Sequence, residues 1–251
     1  MYQEERLVKI LEILNVQQSM SVNEICKRFT ISRDTARRDI VKLVEKGAAI
    51  RTHGGISLPA LNETILAYRE RVQSYSCEKR KIGKSASDFL EDKGVYYFDV
   101  STTVCCLAEQ LNKKLQVYTH SLDIAEVLSD QSEVSLFLFG GSFHKQNRFF
   151  FDVESVNQVD KMKFDTAFLG AAAIMEDGIY FEDKEDAYMK SIIVRRSSKN
   201  IILADFNKFS KTSYYKGMDW GDIHIVITDQ CPPPIFCERM KANNITLCIA
   251  E

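Results

Sequence analysis

Along the first part of the chain the apolar positions recur with helical spacing. Leu7, Ile10, Leu11 and Leu14 fall at three- and four-residue steps and define one apolar stripe. Ser21 followed three residues later by Glu24 is a capping-box pattern, which predicts a helix starting near Val22 and turning Val22, Ile25, Cys26 and Phe29 inward. After a break at Thr30 and Ile31, Ser32 is a good N-cap for a third helix, which buries Ala36, Ile40, Leu43 and Val44 and ends near Gly47. The pattern then shortens. Ala49–Arg51 and Ile56–Leu58 read as strands, and the Gly54-Gly55 pair between them supplies the positive φ angles of a tight hairpin turn. Three short helices and a hairpin make a winged helix-turn-helix over residues 1–58.

Residues 59–76 read as a polar linker that begins at Pro59, partly helical over 63–71. From Glu78 onward helical and strand patterns alternate. Apolar runs at Val95–Phe98, Leu115–Tyr118, Val134–Phe139, Ala167–Leu169, Ile201–Ala204, Ile223–Ile227 and Ile245–Ile249 are separated by helix-length segments, one of them around Ala187–Arg196. Short continuous apolar runs spaced this way imply a largely parallel sheet covered on both faces. The fold class is therefore α/β: a small N-terminal winged helix-turn-helix and a C-terminal α/β domain over residues 77–251.

Composition adds bounds. Of 251 residues 45% are apolar and 27% charged, ordinary for a soluble protein with a real core. No apolar run approaches the roughly 18 residues of a membrane span, and the N-terminus lacks the continuous apolar segment of a signal peptide. The seven cysteines form no CxxC, which argues against a zinc site and a disulfide framework; they read as reduced, buried small hydrophobes in a cytoplasmic protein without cofactor. Charge is uneven. Residues 1–57 carry ten basic and seven acidic side chains, a net +3, whereas residues 58–251 carry 23 and 28, a net −5. A basic front on an acidic body suits contact with a polyanion.

Chemistry concentrates in two places. If Ala36, Ile40 and Leu43 face the core, then Arg33, Asp34, Arg37 and Arg38 lie on or beside the opposite face of the third helix, with Ser32 at its N-terminus. In helix-turn-helix proteins that end enters the major groove, where Arg33 and Arg37 reach guanine edges or phosphates and Arg38 a flanking phosphate. Arg51 and His53 in the hairpin reach the DNA backbone or minor groove. In the second domain, polar clusters follow strand ends: Asp99-Val100-Ser101-Thr102-Thr103, Thr119-His120-Ser121, Gly140-Gly141, Asp205 to Phe209, and Thr228-Asp229. Each alone also reads as a helix cap. Repeated at five ends of one sheet, they favour a ligand pocket, with three hydroxyls and exposed amides after Asp99 as a phosphate cradle and Lys190 as a cation.

The run from Glu5 to Leu58, with Ser-x-x-Thr-x-Arg-Arg-Asp spelled by Ser32, Thr35, Arg37, Arg38 and Asp39, and with Arg51-Thr52-His53-Gly54-Gly55 as the wing, resembles the DNA-binding domain of the DeoR family of bacterial transcription regulators. The resemblance extends over nearly the whole chain. It implies a sequence-specific repressor of carbohydrate or nucleoside genes, with a sensor domain of the ribose-5-phosphate isomerase type that binds a phosphorylated sugar or related metabolite. By matching position, it places Asp99, Ser101, Thr102 and Thr103 on a phosphate-contacting loop and Ser121, Gly140 and Gly141 on further pocket loops. It also makes Lys190 a pocket lysine and Asp205 and Lys208 part of an Asp-x-x-Lys-Phe element. The chain departs from the pattern at Asp186, His120, Phe206, Ala173, Ser210 and Phe149–Asp152, which makes the pocket bulkier and more aromatic. The expected partners are a double-stranded DNA operator and a phosphorylated effector, and a homodimer or homotetramer follows from paired half-sites. Two other readings compete: a sugar-phosphate isomerase with an accessory DNA-binding domain, whose base would be Asp99, Asp186 or Asp205, and a regulator that works through a protein docked on Phe149–Phe151.

Overall fold

Ile10, Leu14, Ile25, Ala36, Leu43 and Ile56 are buried together and form the core of the N-terminal unit. The computed structural model describes residues 3–17, 19–45, 48–52, 54–57 and 77–251. Its N-terminal unit runs α1 (Gln3–Gln17), β1 (Ser19–Ser21), α2 (Val22–Phe29), α3 (Arg33–Glu45), β2 (Ile50–Thr52) and β3 (Gly55–Ser57). The capping box is formed: Glu24 N–H donates to Ser21 Oγ at 3.2 Å, and Ser21 N–H donates to Glu24 Oε2 at 2.8 Å. Thr30 closes α2 in the left-handed region, with φ of 52°. The expected linker, the end of α3 at Gly47, Leu58 and His53 lie outside the described residues.

Two expectations for this unit change. Strand β1 was not legible in the sequence; its three residues pair with β3, far along the chain, to make a sheet ordered β1-β3-β2. The glycine pair also divides its work. Gly54 alone has positive φ, at 94°. Gly55 is needed for space, because a Cβ there would lie 2.0 Å from the Met20 carbonyl oxygen on β1.

The C-terminal unit is a separate compact body. In chain order it contains α4 (Cys77–Ser87), β4 (Val95–Phe98), α5 (Thr102–Ala108), β5 (Leu115–Thr119), α6 (Leu122–Ser129) and β6 (Val134–Leu138). Next come β7 (Ser142–His144), β8 (Phe149–Phe151), α7 (Val153–Val159), β9 (Phe164–Leu169), β10 (Ala173–Met175), β11 (Gly178–Phe181) and α8 (Lys184–Arg196). The chain closes with β12 (Ser197–Leu203), a 3-10 turn at Phe206–Ser210, β13 (Tyr215–Met218), β14 (Ile225–Thr228), α9 (Pro234–Ala242) and β15 (Thr246–Ile249).

All seven apolar runs form one parallel sheet, ordered β15-β14-β12-β9-β4-β5-β6. Alternate residues must face opposite sides of a strand. Tyr97 accordingly packs in one apolar cluster, and its neighbours Tyr96 and Phe98 in the other. Covering both faces is what makes the runs continuously apolar. The small antiparallel sheet β10-β11-β13 and the hairpin β7-β8 were not anticipated, being built from strands of three or four residues. The expectation for the cysteines fails in part. All seven are free, but only Cys105 and Cys106 are buried, and Cys77 and Cys231 are exposed.

The strand order sets the site. From β4 the chain steps outward through β5 and β6, then returns to place β9 on the other side of β4. Helices on either side of such a reversal leave a crevice beyond the carboxyl ends of the strands. Asp99 follows β4 and Gly170 follows β9, so both stand at that point.

Candidate functional site

In the N-terminal unit the helix α3 divides as its sequence requires. Ala36, Ile40 and Leu43 are buried, whereas Arg33, Asp34, Arg37, Arg38 and Lys42 are exposed. Ser32 caps the helix, accepting the Thr35 amide at 3.2 Å, and its hydroxyl is 2.9 Å from that of Thr35. Asp39 does not pair with Arg38. It is fully buried and accepts from Arg6 Nε at 2.6 Å, Arg6 Nη2 at 3.1 Å and Gln3 at 2.9 Å. The Arg-Arg-Asp string therefore splits between two tasks, with the acid riveting α3 to α1 and the arginines facing outward. Arg33 is held by Asn23 of α2 at 2.8 Å. Arg51 and Gly54 are exposed at the hairpin.

In the C-terminal unit a cleft of about 330 Å³ opens at the β4/β9 reversal. Ser101, Thr102, Thr103, Lys190 and Lys208 line it, together with Asp186. Asp99 lies just beneath, fully buried, and organises the floor. Its Oδ1 accepts the Ser101 amide at 2.8 Å, and its Oδ2 accepts the Gly170 amide at 2.7 Å and lies 2.9 Å from Lys190 Nζ. Lys190 also donates to Asp186 Oδ2 at 2.8 Å and sits 3.9 Å over the centre of the Phe181 ring. Burial opposes charging Lys190, but Asp186 and Asp99 outweigh it and raise its pKa above the ordinary lysine value. Burial likewise opposes ionisation of Asp186; Lys190 and His120 outweigh that and hold its carboxyl at about 2.

Behind Asp186 stands a buried relay. Tyr97 and the Nδ1 of His120 are 2.5 Å apart, and His120 Nε2 is 3.2 Å from Asp186 Oδ1. Burial, with Asp186 and Asp99 nearby, pushes the Tyr97 hydroxyl well above its usual range, so it keeps its proton. The ionised Asp186 can only accept, so His120 Nε2–H donates to it, while Nδ1 and the Tyr97 hydroxyl share the second hydrogen bond. The order Tyr97, His120, Asp186, Lys190, Asp99 joins β4, the end of β5 and α8 across the core.

The cradle itself differs from the expectation of exposed amides. The Ser101 amide is taken by Asp99, and the Thr103 amide by Ser101 Oγ at 3.1 Å. What the wall carries instead is a mixed set of charges: Lys79 of α4, Lys208 and Lys211, beside Glu182 and Asp183. Burial depresses the Lys208 pKa, and the neighbouring Lys211 and Lys79 add to the effect against the opposing pull of Asp205. An anion seated among these lysines offsets their like-charge repulsion and favours the charged form of Lys208.

Not every expected residue reaches the cleft. Ser121 is buried as the cap of α6, Gly140 accepts the Ser155 hydroxyl, and Gly141 turns the chain at φ 128°; none is among the described residues lining the cleft. Asp205 caps the 3-10 turn through the Asn207 amide and lines an adjoining hollow, which shares Lys79, Lys208 and Lys211 with the first. Ala173 and Phe206 sit on neighbouring elements, and Phe149 is fully buried with Phe150 and Phe151 half-buried, so Phe149–Phe151 is not an exposed aromatic surface. Lys79, Lys211, Asn147 and Gly170 were missed. The lysines read as ordinary surface charges in the sequence, and Gly170 carries no pattern at all. Yet a Cβ on Gly170 would lie 2.3 Å from Ser101 Cβ, so only glycine lets β9 approach this loop.

Comparison with known proteins adds independent findings. Residues 6–60 match the DeoR-like helix-turn-helix domain and residues 75–230 the DeoR C terminal sensor domain. The chain is 37% identical to the HTH-type transcriptional repressor GlcR of Bacillus subtilis, covering 100% of this chain and 98% of that one. It is 28% identical to the HTH-type transcriptional regulator IolR of the same organism, over 90% of each. With the glycerol-3-phosphate regulon repressor of Escherichia coli it shares 25% identity over 98% of this chain and 99% of that one. Among solved structures, a ribose 5-phosphate isomerase from Methanocaldococcus jannaschii aligns with a TM-score of 0.38 and 16% identity, over 52% of this chain and 53% of that one. Among the described residues no helix is long and apolar enough to cross a membrane.

Proposed function

This chain belongs to the DeoR family of transcription regulators, and from that premise we propose that it represses a set of sugar-related genes under the control of a small phosphorylated metabolite. One observation carries the effector part of this reading. Lys79, Lys208 and Lys211 gather at the strand-order reversal around a cleft whose floor is fixed by the Asp99–Lys190–Asp186 cluster. The three wall lysines outnumber Glu182 and Asp183 by one, above a rigid base in which Lys190 is shared by two carboxylates, and that cluster of ammonium groups suits a phosphorylated headgroup on a small polar body. Two relatives, a glycerol-3-phosphate regulon repressor and a lactose phosphotransferase system repressor of Staphylococcus aureus, support the same class.

The DNA part rests on α3. Arg37 and Arg38 are exposed on the face opposite the core, and among the described residues neither forms an ion pair. Two such units, carried by a dimer or tetramer, read half-sites about one helical turn apart. The cleft is read as a binding site and not a catalytic one, because both buried aspartates are spent on Lys190 and Asp205 on a helix cap. Glu182 and Asp183 also line the cleft, so this reading rests on the transcription regulators the chain resembles as well as on those pairings.

Selection of genomic fragments by the purified protein at physiological ionic strength, followed by thermal-shift measurements with inorganic phosphate and a panel of sugar phosphates, tests both parts. A recovered fragment whose binding changes with one phosphorylated sugar is the expected result. An effector at a hundred times its Kd adds about 2.7 kcal/mol of stability. Retention of no fragment over bulk DNA sinks the regulator reading; indifference to every phosphorylated compound sinks the effector reading alone.

A further inference from the structure

The cysteines that escape burial include Cys231 and Cys237, separated by five residues in the sequence. Cys231 ends the loop after β14, and Cys237 lies in the second turn of α9, with Pro232-Pro233-Pro234 between them. Three consecutive prolines fix φ at each step and leave that connection little freedom. Both sulfurs are directed at the same acceptor, the Pro232 carbonyl oxygen, at 3.8 Å from Cys231 and 3.3 Å from Cys237. They also interact with each other: burial raises the pKa of the Cys237 thiol first, and a hydrogen bond to the Cys231 sulfur adds to it. Cys231 is exposed and Cys237 half-buried behind it.

The position of the pair gives it a consequence. Asp229, two residues before Cys231, accepts the Phe206 amide at 2.7 Å. Phe236, the residue before Cys237, packs on Phe209 with ring centres 5.1 Å apart. Each thiol thus sits within two residues of a contact to the Phe206–Ser210 turn, the turn that carries Lys208 into the cleft.

We propose that Cys231 and Cys237 form a reversible disulfide that fastens the loop after β14 to α9 and so stiffens the support of the Lys208 turn. The oxidant is a hydroperoxide. The exposed Cys231, as thiolate, attacks the distal peroxide oxygen, breaking the O–O bond; the sulfur becomes a sulfenic acid and the peroxide leaves as an alcohol, or as water from hydrogen peroxide. Cys237, giving up its proton, attacks the sulfenic sulfur, the S–S bond forms, and hydroxide leaves as water. Two electrons pass from the two sulfurs to the peroxide, and a small-molecule thiol reverses the step by exchange. This site stands on the thiol geometry and is independent of the effector reading.

The test treats the full-length protein with hydrogen peroxide at a few equivalents, alkylates free thiols, and maps peptides by mass spectrometry without reduction. The expected product links the peptides of Cys231 and Cys237 with loss of two hydrogen atoms, is reversed by dithiothreitol, and is absent in both C231S and C237S. C231S is the informative variant, since an exposed serine there leaves the fold intact. In the linked form, amide exchange at Phe206 and over residues 229–231 is expected to slow several-fold. Alkylation of both thiols after treatment, oxidation to sulfinic acid without linkage, or pairing of either cysteine with Cys77 or Cys248 overturns the site. A link that leaves exchange unchanged overturns the stiffening.

Discussion

Lys190 Nζ lies 2.9 Å from Oδ2 of Asp99, and this one contact ties α8 to the loop that follows strand β4. Both groups are almost wholly shielded from solvent, at 4% and 0% side-chain exposure. Asp99 holds two backbone amides, from the loops after β4 and β9, at the same time, so the ion pair fixes the relative positions of three elements around the cleft floor. Its value follows from what its loss would leave behind.

Replacing Lys190 by Met keeps the aliphatic stem against Phe181 but strands two buried aspartates without a cation. Removing one partner of such a buried cluster costs about 3–5 kcal/mol. Urea denaturation of Lys190→Met, compared with the parent protein, is expected to show a loss of that order. A change below about 1 kcal/mol would mean that the cluster is not stabilising in this fold.

The same cluster makes a prediction about pH. The Asp186 carboxyl is lowered from 3.8 to about 2, so its contribution is present above its unfolded pKa and is lost as pH falls toward 2. One pKa unit corresponds to about 1.4 kcal/mol, giving a contribution of roughly 2 kcal/mol. Lys190, raised above 10.5, contributes fully below its unfolded pKa and loses its contribution as pH climbs through its folded value. The stability gap between the parent and Asp186→Asn is therefore expected to be constant near neutrality and to shrink between pH 4 and 2. A gap that stays constant throughout would remove the charge from this account.

Gly170→Ala tests the close approach of β9 to the Ser101 loop. The new methyl would meet Ser101 Cβ and Oγ, each at 2.3 Å, in a site where the Gly170 amide is already bound to Asp99. Overpacking of this kind costs about 1–3 kcal/mol, and the displaced Ser101 loop is expected to weaken phosphate binding as well. Pairing it with Ser101→Gly, which removes the opposing atoms, should restore part of the stability. If Gly170→Ala behaves as the parent in both calorimetry and ligand titration, the loop has slack that the geometry does not suggest.

The two halves of Arg-Arg-Asp in α3 should separate by experiment. Arg37→Ala and Arg38→Ala are expected to leave thermal stability unchanged and to weaken operator binding, by about 1–3 kcal/mol where the arginine reads a base and with a salt slope reduced by about 1 where it meets a phosphate. Asp39→Ala leaves Arg6 buried without its acceptor, so it should unfold the N-terminal unit by a loss of about 3–5 kcal/mol and impair binding only through that route. Equal effects of all three on stability would erase the distinction.

Local order along the chain was enough to determine the layout of this protein. The capping box at Ser21 and Glu24, the apolar stripe of α3 and the seven apolar runs each depend on neighbours within a few residues, and all of them appear where the periodicity puts them. The polar residues after β4 and β12 were legible for the same reason, because helix starts and ligand loops both recruit them. What the sequence did not contain was which of these loops meet. Ser121, Gly140 and Gly141 also follow strand ends but do not line the cleft, whereas Asn147 and Lys211, which no strand-end pattern marks, do. Pairings across long separations were equally hidden: Asp39 with Arg6 instead of its neighbour Arg38, His120 between Tyr97 and Asp186, and a glycine at 170 whose necessity comes from Ser101. Periodicity is written by the backbone of each segment; convergence is decided by how the sheet is wound, and that is a property of the whole chain.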